Sequence, residues 1–338
     1  MARKSKSGSS ARSRGVSRSR GSSFLPRALR RTKIFVVANI VLWAAIGGWY
    51  LFQPVPRQQE VSRLVGNLFD AKKSITAFDV AWDVWQLYYS EDFVATPGAG
   101  VTTGNTPIYA GLPLTTTTGA AAVAAPRVLT NLAYTVGYSD ALGNPLWVAY
   151  RLRDLAPLDA APRPEKFVAD TRTVARIEPE VYTRSGYDRG HLAPNFAIAT
   201  HFGPQAQEET FLMSNITPQK HGLNAGLWKS LEQKIATNYP GRFGEIWVLA
   251  GPIFGRDPER LKRRVAVPEA FFMVIVDESD GRVRAQAFIF PQEPVSTQLD
   301  GYLATIDEIE ARTGLNFFAE LPDPAENALE AHRVARVW

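Results

Sequence analysis

The longest run of apolar positions in the chain lies near its N-terminus. Residues 34–52, IFVVANIVLWAAIGGWYLF, are nineteen residues without a charge. As a helix this run would span roughly 28 Å at ~1.5 Å per residue, close to the ~30 Å hydrocarbon core of a bilayer. The pattern therefore predicts a transmembrane helix at 34–52.

A helical spacing of apolar residues follows the apolar run. Val61, Leu64, Val65 and Leu68 recur at i, i+3, i+4 and i+7, the spacing of one helix face. We predict a helical stalk at 53–95 that could pair with a second copy; the alternative is a helix packed on the following domain. Residues 96–126 are rich in Gly, Thr, Ala and Pro, which predicts a linker or a long surface loop.

Strand-like patterns dominate the body of the chain. Residues 131–152 predict a hairpin that turns between 140 and 144, and residues 271–290 predict a second one that turns at Asp280-Gly281. Between them, WVLAGPIF at 247–254 predicts a buried strand. We predict a mixed α+β domain with an antiparallel sheet at 127–322, followed by a C-terminal tail at 323–338.

One amphipathic helix is predicted late in this domain. Apolar residues follow the helical period from 298 to 312, at Leu299, Leu303, Ile306 and Ile309. Gly314 is then the expected C-terminal cap.

The positive charge is confined to the N-terminal segment. The chain has 38 basic and 33 acidic residues, a net charge of +5. Residues 1–33 hold eleven of the basic residues and no acidic one, so the rest carries 27 basic against 33 acidic, a balance of −6. We predict that 1–33 is a disordered tail, and that phosphate must be captured by a local patch rather than by the overall charge of the domain.

The basic flank also predicts the topology. It should stay in the cytoplasm and send the body across the membrane, so we expect a single-pass protein of the inner (plasma) membrane with its domain on the periplasmic side. An acid-free, Arg/Ser-rich leader also fits organelle import, with the mitochondrial inner membrane as the alternative, and a cleaved signal peptide is the third. The chain has no cysteine, which excludes disulfides and thiolate chemistry.

Candidate chemistry lies in Tyr187–Glu232, YDRGHLAPNFAIATHFGPQAQEETFLMSNITPQKHGLNAGLWKSLE. Phosphodiester hydrolysis needs a base for water and positive charge for the phosphoryl oxygens. His191 is the natural base, because imidazole titrates near pH ~6.5, and Arg189 can donate a planar fork to phosphate. On a strand the two side chains would share one face.

Two asparagines and a glutamate follow. Mg²⁺ keeps several waters and takes few protein oxygens, so one neutral amide ligand is reasonable. In a regular helix Asn224 and Glu232 would lie roughly on one face, about 12 Å apart, which suits a glutamate that holds metal-bound water. Asn215 could equally be a turn residue and Asn224 an N-cap, while Trp228 belongs to the core. The other histidines are expected to be structural or exposed; they are His201, His221 and His332.

Several ordered motifs together resemble the DNA/RNA non-specific endonuclease family. They are YDRGHLAPN, SNITPQ, LNAGLWKSLE, NPLWVAYRL, AGPIF and DEIEARTGLNFFAELP, which together cover about residues 127–322. The resemblance implies a ββα-metal (His-Me finger) fold and one Mg²⁺, with Mn²⁺ as an alternative ion. It also implies cleavage of DNA and RNA without sequence preference. Phe196 stands where the family signature usually has a small residue.

By matching position, the resemblance implies a role for each of six residues. His191 would be the general base, Asn224 the direct metal ligand and Glu232 the residue that orients metal-bound water. Arg189 would assist at the phosphate, Asn215 would support the site, and Arg163 resembles the arginine that stabilises the transition state. Asp188 is expected to be structural.

The function predicted is that of a membrane-anchored, Mg²⁺-dependent endonuclease in which the metal stabilises the leaving group. Its partners would be DNA and RNA substrates, the membrane through 34–52, and a second copy if the chain forms a homodimer; an inhibitor protein is not indicated by the sequence. Two alternatives stay open. One is a catalytically inactive nucleic-acid-binding or envelope interaction protein on a nuclease-derived fold, and the other is a phosphodiesterase for small substrates.

Overall fold

The computed structural model describes residues 24–71, 73–96, 106–116, 124–159, 161–279 and 281–338. The chain separates into two compact units, 1–58 and 59–338. The predicted tail at 1–23, most of the predicted linker (97–105 and 117–123) and Asp280 of the predicted turn lie outside the described residues.

The helices are α1 Phe24–Leu51, α2 Val55–Asn67, α3 Ala77–Tyr89, α4 Asn195–Phe202, α5 Pro204–Glu209, α6 His221–Leu223, α7 Lys229–Thr237, α8 Tyr239–Phe243, α9 Ile306–Thr313 and α10 Asp323–Ala331. The strands are β1 Val94–Ala95, β2 Leu114–Thr115, β3 Arg127–Thr130, β4 Tyr134–Ser139, β5 Asn144–Arg153, β6 Asp188–His191, β7 Ile216–Gln219, β8 Glu245–Ile253, β9 Arg260–Leu261, β10 Val265–Ala266, β11 Ala270–Ser279, β12 Arg282–Pro291, β13 Leu303–Ala304 and β14 Leu315–Asn316. Short 3₁₀ turns occupy Pro179–Tyr182, Met213–Asn215 and Leu299–Tyr302, and a π-helical turn occupies Asn224–Trp228.

The first unit contains α1. Its segment Thr32–Leu51 is 20 residues long with a mean hydropathy of 1.9 and no buried residues. Length and composition would allow this helix to cross a membrane, although a signal sequence would pass the same test. Residues 24–33, predicted as disordered, instead begin α1, because Leu, Ala and Arg there are good helix formers.

The second unit is built on an eight-stranded antiparallel sheet in the order β1-β12-β11-β8-β5-β4-β3, with β13 paired to β12. Both predicted hairpins and the predicted buried strand are present. The hairpins are β4–β5 and β11–β12, and the strand is β8.

Both faces of this sheet are covered. Alternate residues of β5 point to opposite sides: Val148 and Tyr150 enter a core beneath α4 and α7, while Trp147 and Ala149 enter a core beneath α9 and α10. Burial on both faces explains why NPLWVAYRL is almost continuously apolar. The side with α4 and α7 carries the candidate site.

The helical stalk predicted at 53–95 does not stand apart from the domain. Within the second unit, residues of α2 and α3 pack on it. Arg242, 2% exposed, donates from Nε and Nη2 to the two carboxylate oxygens of Asp83 on α3, at 2.8 and 2.7 Å. Asn67 on α2 donates to Asp154 at 2.6 Å. These residues follow the alternative of a helix packed on the domain.

Two predictions near the C-terminus are wrong. Residues 299–304 form a 3₁₀ turn and β13, and the α-helix begins only at Ile306, because Leu303 and Ala304 pair with β12. Gly314 is the left-handed cap as predicted, with φ of +69°. Residues 323–338 do not form a free tail, since they contain α10 and end in Trp338, which is 4% exposed against the core.

Candidate active site

A two-stranded ribbon positions Arg189 and His191. Strand β6 runs antiparallel to β7, with Gly190 opposite Thr217. A Cβ atom at Gly190 would lie 2.0 Å from Oε1 of Gln219, so the glycine allows close contact between the strands. Arg189 and His191, two residues apart on this strand, both line one cavity.

This cavity, the cleft, has a volume of about 280 Å³. It is lined by five of the six predicted site residues: Arg163, Arg189, His191, Asn224 and Glu232. They come from β6, the π-helical turn, α7 and the segment after β5, so the fold brings together residues up to 69 positions apart in the sequence. The sixth, Asn215, does not line it.

Asn215 instead lies in the interior behind His191. Its side chain has no solvent exposure. Oδ1 accepts from the backbone N–H of Ala193 at 2.8 Å, and Nδ2 donates to the carbonyl oxygens of Ala193 and Thr210, both at 3.0 Å. Asn215 therefore fixes the backbone just after His191 and does not line the cleft.

His191 is enclosed by aromatic rings. Its ring centroid lies 5.5 Å from that of Phe167 and 5.1 Å from that of Phe211. Its backbone carbonyl accepts from Nε1 of Trp228 at 3.2 Å, so a residue assigned to the core also positions the histidine. Burial, helped by the positive charge of Arg163, lowers the pKa of His191 to about 3. The imidazole is therefore neutral at pH 7, and its Nε2 is buried without a partner among the described residues.

Asn224 is held by a carboxylate. Its Nδ2 donates to Oδ2 of Asp188 at 2.9 Å, and the same oxygen accepts from Nδ1 of His221 at 2.8 Å. Since the carboxylate engages the amide nitrogen, the side chain has a defined orientation, and Oδ1 has no hydrogen-bond partner within the described part of the chain. Asp188 thus links the side chains of Asn224 and His221.

The helix that carries Asn224 is not regular. Asn224–Trp228 form a π-helical turn, with Gly226 at φ −101° and ψ −113°, and α7 begins at Lys229. The predicted regular spacing from Asn224 to Glu232 is therefore interrupted. Asn224 has α-helical dihedral angles and stands at the C-cap of α6, while Trp228 holds the N-cap position of α7, which excludes the N-cap alternative.

Glu232 lies in the first turn of α7 with a buried carboxyl group. Its Oε1 has no hydrogen-bond partner among the described residues. Burial raises the pKa of Glu232 to about 8, against the opposing effects of a hydrogen bond from Trp228 and the positive charges of Arg163 and Lys229. The negative charge of Glu232 in turn adds to the burial that raises the pKa of Tyr150, whose hydroxyl is also buried and unpaired in the described chain.

Three cations line the cleft: Arg163, Arg189 and Lys229. Arg189 donates from Nε and Nη2 to the carbonyl oxygen of Pro179, at 3.2 and 2.7 Å, and its guanidinium lies 5.6 Å from the ring centroid of Phe167. Arg163 is exposed, with its guanidinium 5.2 Å from the ring of Phe211. These charges provide the local basic patch that the acidic balance of the body requires.

The cleft fits a divalent cation. Asn224 offers an amide oxygen and Glu232 a buried carboxylate oxygen that lacks a partner, and hard oxygen donors of this kind suit Mg²⁺. The raised pKa of Glu232 has the same cause, since a carboxylate buried without a compensating cation prefers its neutral form.

A model of the DNA/RNA non-specific endonuclease family matches residues 114–324, more than half of the chain. The chain belongs to this family. The match includes every predicted site residue and the sheet from β3 to β13, so the predicted family and its ββα-metal fold are confirmed. The family is one of metal-dependent nucleases, which agrees with a divalent-cation site in the cleft.

Curated relatives and a solved structure agree. The mitochondrial nuclease EXOG of Danio rerio is 32% identical over 214 residues, 58% of this chain and 61% of its own length. The nuclease of Serratia marcescens is 31% identical over 209 residues, 59% of this chain and 77% of its own length. A crystal structure of an EndoG/EndoGI complex superposes with a TM-score of 0.51 at 27% identity, covering 59% of this chain and 88% of the other. The chain spans about three fifths of the length of the EXOG relatives.

Sequence reasoning missed several residues of the site. Lys229 gave no signal, because a lysine at the start of a predicted helix is normally solvated. Phe167 and Phe211 gave none either, because their contact with His191 depends on segments that the sequence left unassigned. The parallel bridge between Val168 and Leu212 brings the two segments together.

Proposed function

We propose that the second unit is a Mg²⁺-dependent endonuclease that hydrolyses phosphodiester bonds in DNA and RNA without sequence preference. The observation that carries the proposal is one cavity where a neutral, unpaired His191 imidazole meets an oriented Asn224 amide, a buried Glu232 carboxyl and two arginines. Family membership supports the same reaction class.

In this mechanism His191 accepts the proton of an attacking water through Nε2. The neutral imidazole that burial maintains is the form able to do so. The negative charge of a phosphate bound in the cleft would raise the basicity of His191. Phe167 and Phe211 hold the ring, and Trp228 fixes its backbone.

Arg163 and Arg189 would neutralise the phosphoryl oxygens. Two nitrogens of Arg189 donate to the carbonyl oxygen of Pro179, so the guanidinium is held in place as a fixed charge. Arg163 is exposed, so its side chain can move toward the phosphoryl group as negative charge develops in the transition state. A divalent cation held by Asn224 and, through its waters, by Glu232 would supply the positive charge that stabilises the departing oxygen.

The test is a nicking assay on the full chain in detergent, with supercoiled plasmid and with RNA. His191→Ala should lose cleavage of both by at least ~100-fold, the usual contribution of a general base. Asn224→Ala should shift the Mg²⁺ requirement upward. His332→Ala is the matched control, since that histidine does not line the cleft and its Nε2 bonds Oδ1 of Asp92 at 2.9 Å.

Near-normal cleavage by His191→Ala would overturn the mechanism. Tight binding of DNA by the unaltered chain without cleavage at any Mg²⁺ concentration would instead establish the nucleic-acid-binding alternative. Hydrolysis of small phosphodiesters that DNA does not inhibit would establish the small-substrate phosphodiesterase.

We also propose that α1 anchors the chain in a membrane, with the nuclease on the non-cytoplasmic side. The apolar segment Thr32–Leu51 supports an anchor. The mitochondrial names of several relatives favour the mitochondrial inner membrane as the alternative to the plasma membrane. Extraction of the full chain from membranes by sodium carbonate would contradict an anchor.

Partners other than nucleic acid stay predictions. The EndoG/EndoGI structure concerns inhibition of that neighbour, and by analogy we propose that a protein inhibitor binds this chain. A homodimer would be detected as a doubled mass by light scattering in detergent, corrected for bound detergent.

A further inference from the structure

A second cavity borders the cleft. Its volume is about 290 Å³, near the lower end of the ~300–1,000 Å³ range of small-molecule sites. Phe196, near the start of α4, lines both cavities, and its ring is 42% exposed. The flanking cavity, as we call it, therefore shares one exposed aromatic ring with the cleft that holds the candidate catalytic residues.

Apolar side chains form part of the wall of the flanking cavity. Pro157 and Leu158 line the flanking cavity, and Leu158 is 50% exposed. The backbone N–H of Leu158 donates to the carbonyl of Thr200 at 2.8 Å, so this wall is tied to α4. A flat apolar ligand could contact Phe196 and Leu158 without displacing a hydrogen bond between the segments.

The cations that line the flanking cavity, Lys73 and Arg153, are matched within the protein, whereas the exposed carboxylate of Asp159 in the same lining makes no ion pair among the described residues. Lys73 is bonded to Asp154 and, at 2.7 Å, to Asn67. Arg153 donates to Glu245 at 2.6 Å. The cleft differs, because its cations Arg163 and Lys229 make no ion pair among the described residues. The flanking cavity therefore offers a phosphate no free cation and admits a neutral group, while the cleft suits the phosphate.

Resting on the proposed nuclease function, we propose that the flanking cavity binds a nucleobase next to the scissile phosphate, with the base stacked on Phe196. Every base has a π-face, so stacking on an aromatic ring is tolerant of sequence. Phe196 is then a positioning residue that holds one nucleotide while the adjacent phosphate lies in the cleft.

The experiment combines a protein change with a substrate change. Full-length chain in detergent with Mg²⁺ is assayed on a thymidine 12-mer and on a 12-mer of abasic tetrahydrofuran units. Phe196→Ala should raise KM for the thymidine 12-mer by about 5- to 150-fold, the equivalent of ~1–3 kcal/mol for one stacked base, with kcat little changed. On the abasic 12-mer the KM of the same variant should differ from that of the parent by less than twofold, because this substrate has no base to stack on residue 196.

Phe202→Ala is the matched control, since this ring is 43% exposed on the same helix and lines neither the cleft nor the flanking cavity. Phe196→Trp should restore the parent KM. Equal losses by Phe196→Ala on both 12-mers would overturn the base pocket and indicate a purely structural effect, and no loss on either would overturn it as well.

A binding measurement separates this inference from the proposed function. Fluorescence anisotropy with labelled 12-mers and no added metal gives Kd without cleavage. If the parent chain cleaves neither 12-mer, the nuclease proposal fails, but a Kd difference between thymidine and abasic 12-mers that Phe196→Ala abolishes would still support the pocket. Equal Kd values for the two 12-mers would refute it.

Discussion

Asp188 offers a sharp test of how the metal ligand is oriented. Asp188→Ala removes the acceptor that binds Nδ2 of Asn224 at 2.9 Å and Nδ1 of His221 at 2.8 Å. Without it, the amide of Asn224 can rotate and present its nitrogen rather than its oxygen to the cleft. We therefore expect Mg²⁺ to bind more weakly while the fold is retained.

The magnitude follows from the type of hydrogen bond. A bond to a charged group contributes ~1.5–3 kcal/mol, which corresponds to about 10- to 150-fold in a dissociation constant. The side chain of Asp188 is 34% exposed, so water can partly replace the lost acceptor. We expect the lower end, about 10-fold, which also agrees with the ~10–100-fold typical of groups that orient metal ligands.

The assay is plasmid nicking by the full chain as a function of Mg²⁺ concentration. The half-saturating concentration should rise about tenfold, and the rate at saturating Mg²⁺ should recover most of its original value. His221→Ala is the control, because that side chain is 81% exposed and its bond to Asp188 is weakened by solvent. An unchanged Mg²⁺ titration for Asp188→Ala would refute the orienting role.

Three further expectations concern charge and stability. Asp83→Ala should lower the free energy of unfolding by ~3–5 kcal/mol in a thermal melt, because the buried guanidinium of Arg242 loses the carboxylate that it contacts at 2.7 Å. Asp79→Asn removes the charge 3.9 Å from this guanidinium but keeps an oxygen that can accept the capping hydrogen bonds from Thr76, so it should cost under ~1 kcal/mol; equal effects would argue against the packed α3. Because burial raises the pKa of Glu232 to about 8, Mg²⁺ binding at pH 7 should release a proton from this carboxyl group. Titration calorimetry in buffers of different protonation enthalpy should detect the released proton; identical binding heats in all buffers would contradict the burial of the carboxyl group. Burial also raises the pKa of Glu330, so the protonated carboxyl of Glu330 contributes to stability below about pH 4.5, and this contribution is lost as pH rises. Glu330→Gln should therefore raise the melting temperature at pH 9 but not at pH 5. A rise of equal size at both pH values would point to packing instead.

The predictable part of the fold is the part with local signals. The turn of the first hairpin contains Gly143 at φ +64° and that of the second contains Gly281 at φ +69°, and each separates two apolar runs. In each hairpin the turn glycine and the two apolar strands lie within about 20 consecutive residues, so local sequence alone predicts the hairpin. The family motifs then placed His191 and Asn224 in a common site, and the cleft brings them together.

The errors occur where distant contacts override local pattern. Leu303 fits a helical period, yet it pairs with Phe288 on β12, because the sheet edge offers hydrogen bonds that a short helix would not replace. The packing of α3 depends on the bond between Asp83 and Arg242, 159 residues apart. No local pattern predicts such a pair.

The π-helical turn Asn224–Trp228 separates the candidate metal ligand from the part of its helix that packs in the core. The wide turn holds one residue more than an α-helical turn would. Deleting one residue there would let the turn close to α-helical width, so the helix on either side would keep its orientation and Leu231 and Ile235 would stay in the core. The same deletion inside α7 would rotate the residues beyond it by about 100° and displace them from the core. A one-residue change in chain length is therefore absorbed at the turn, next to the metal ligand, and not in the helix that supports it.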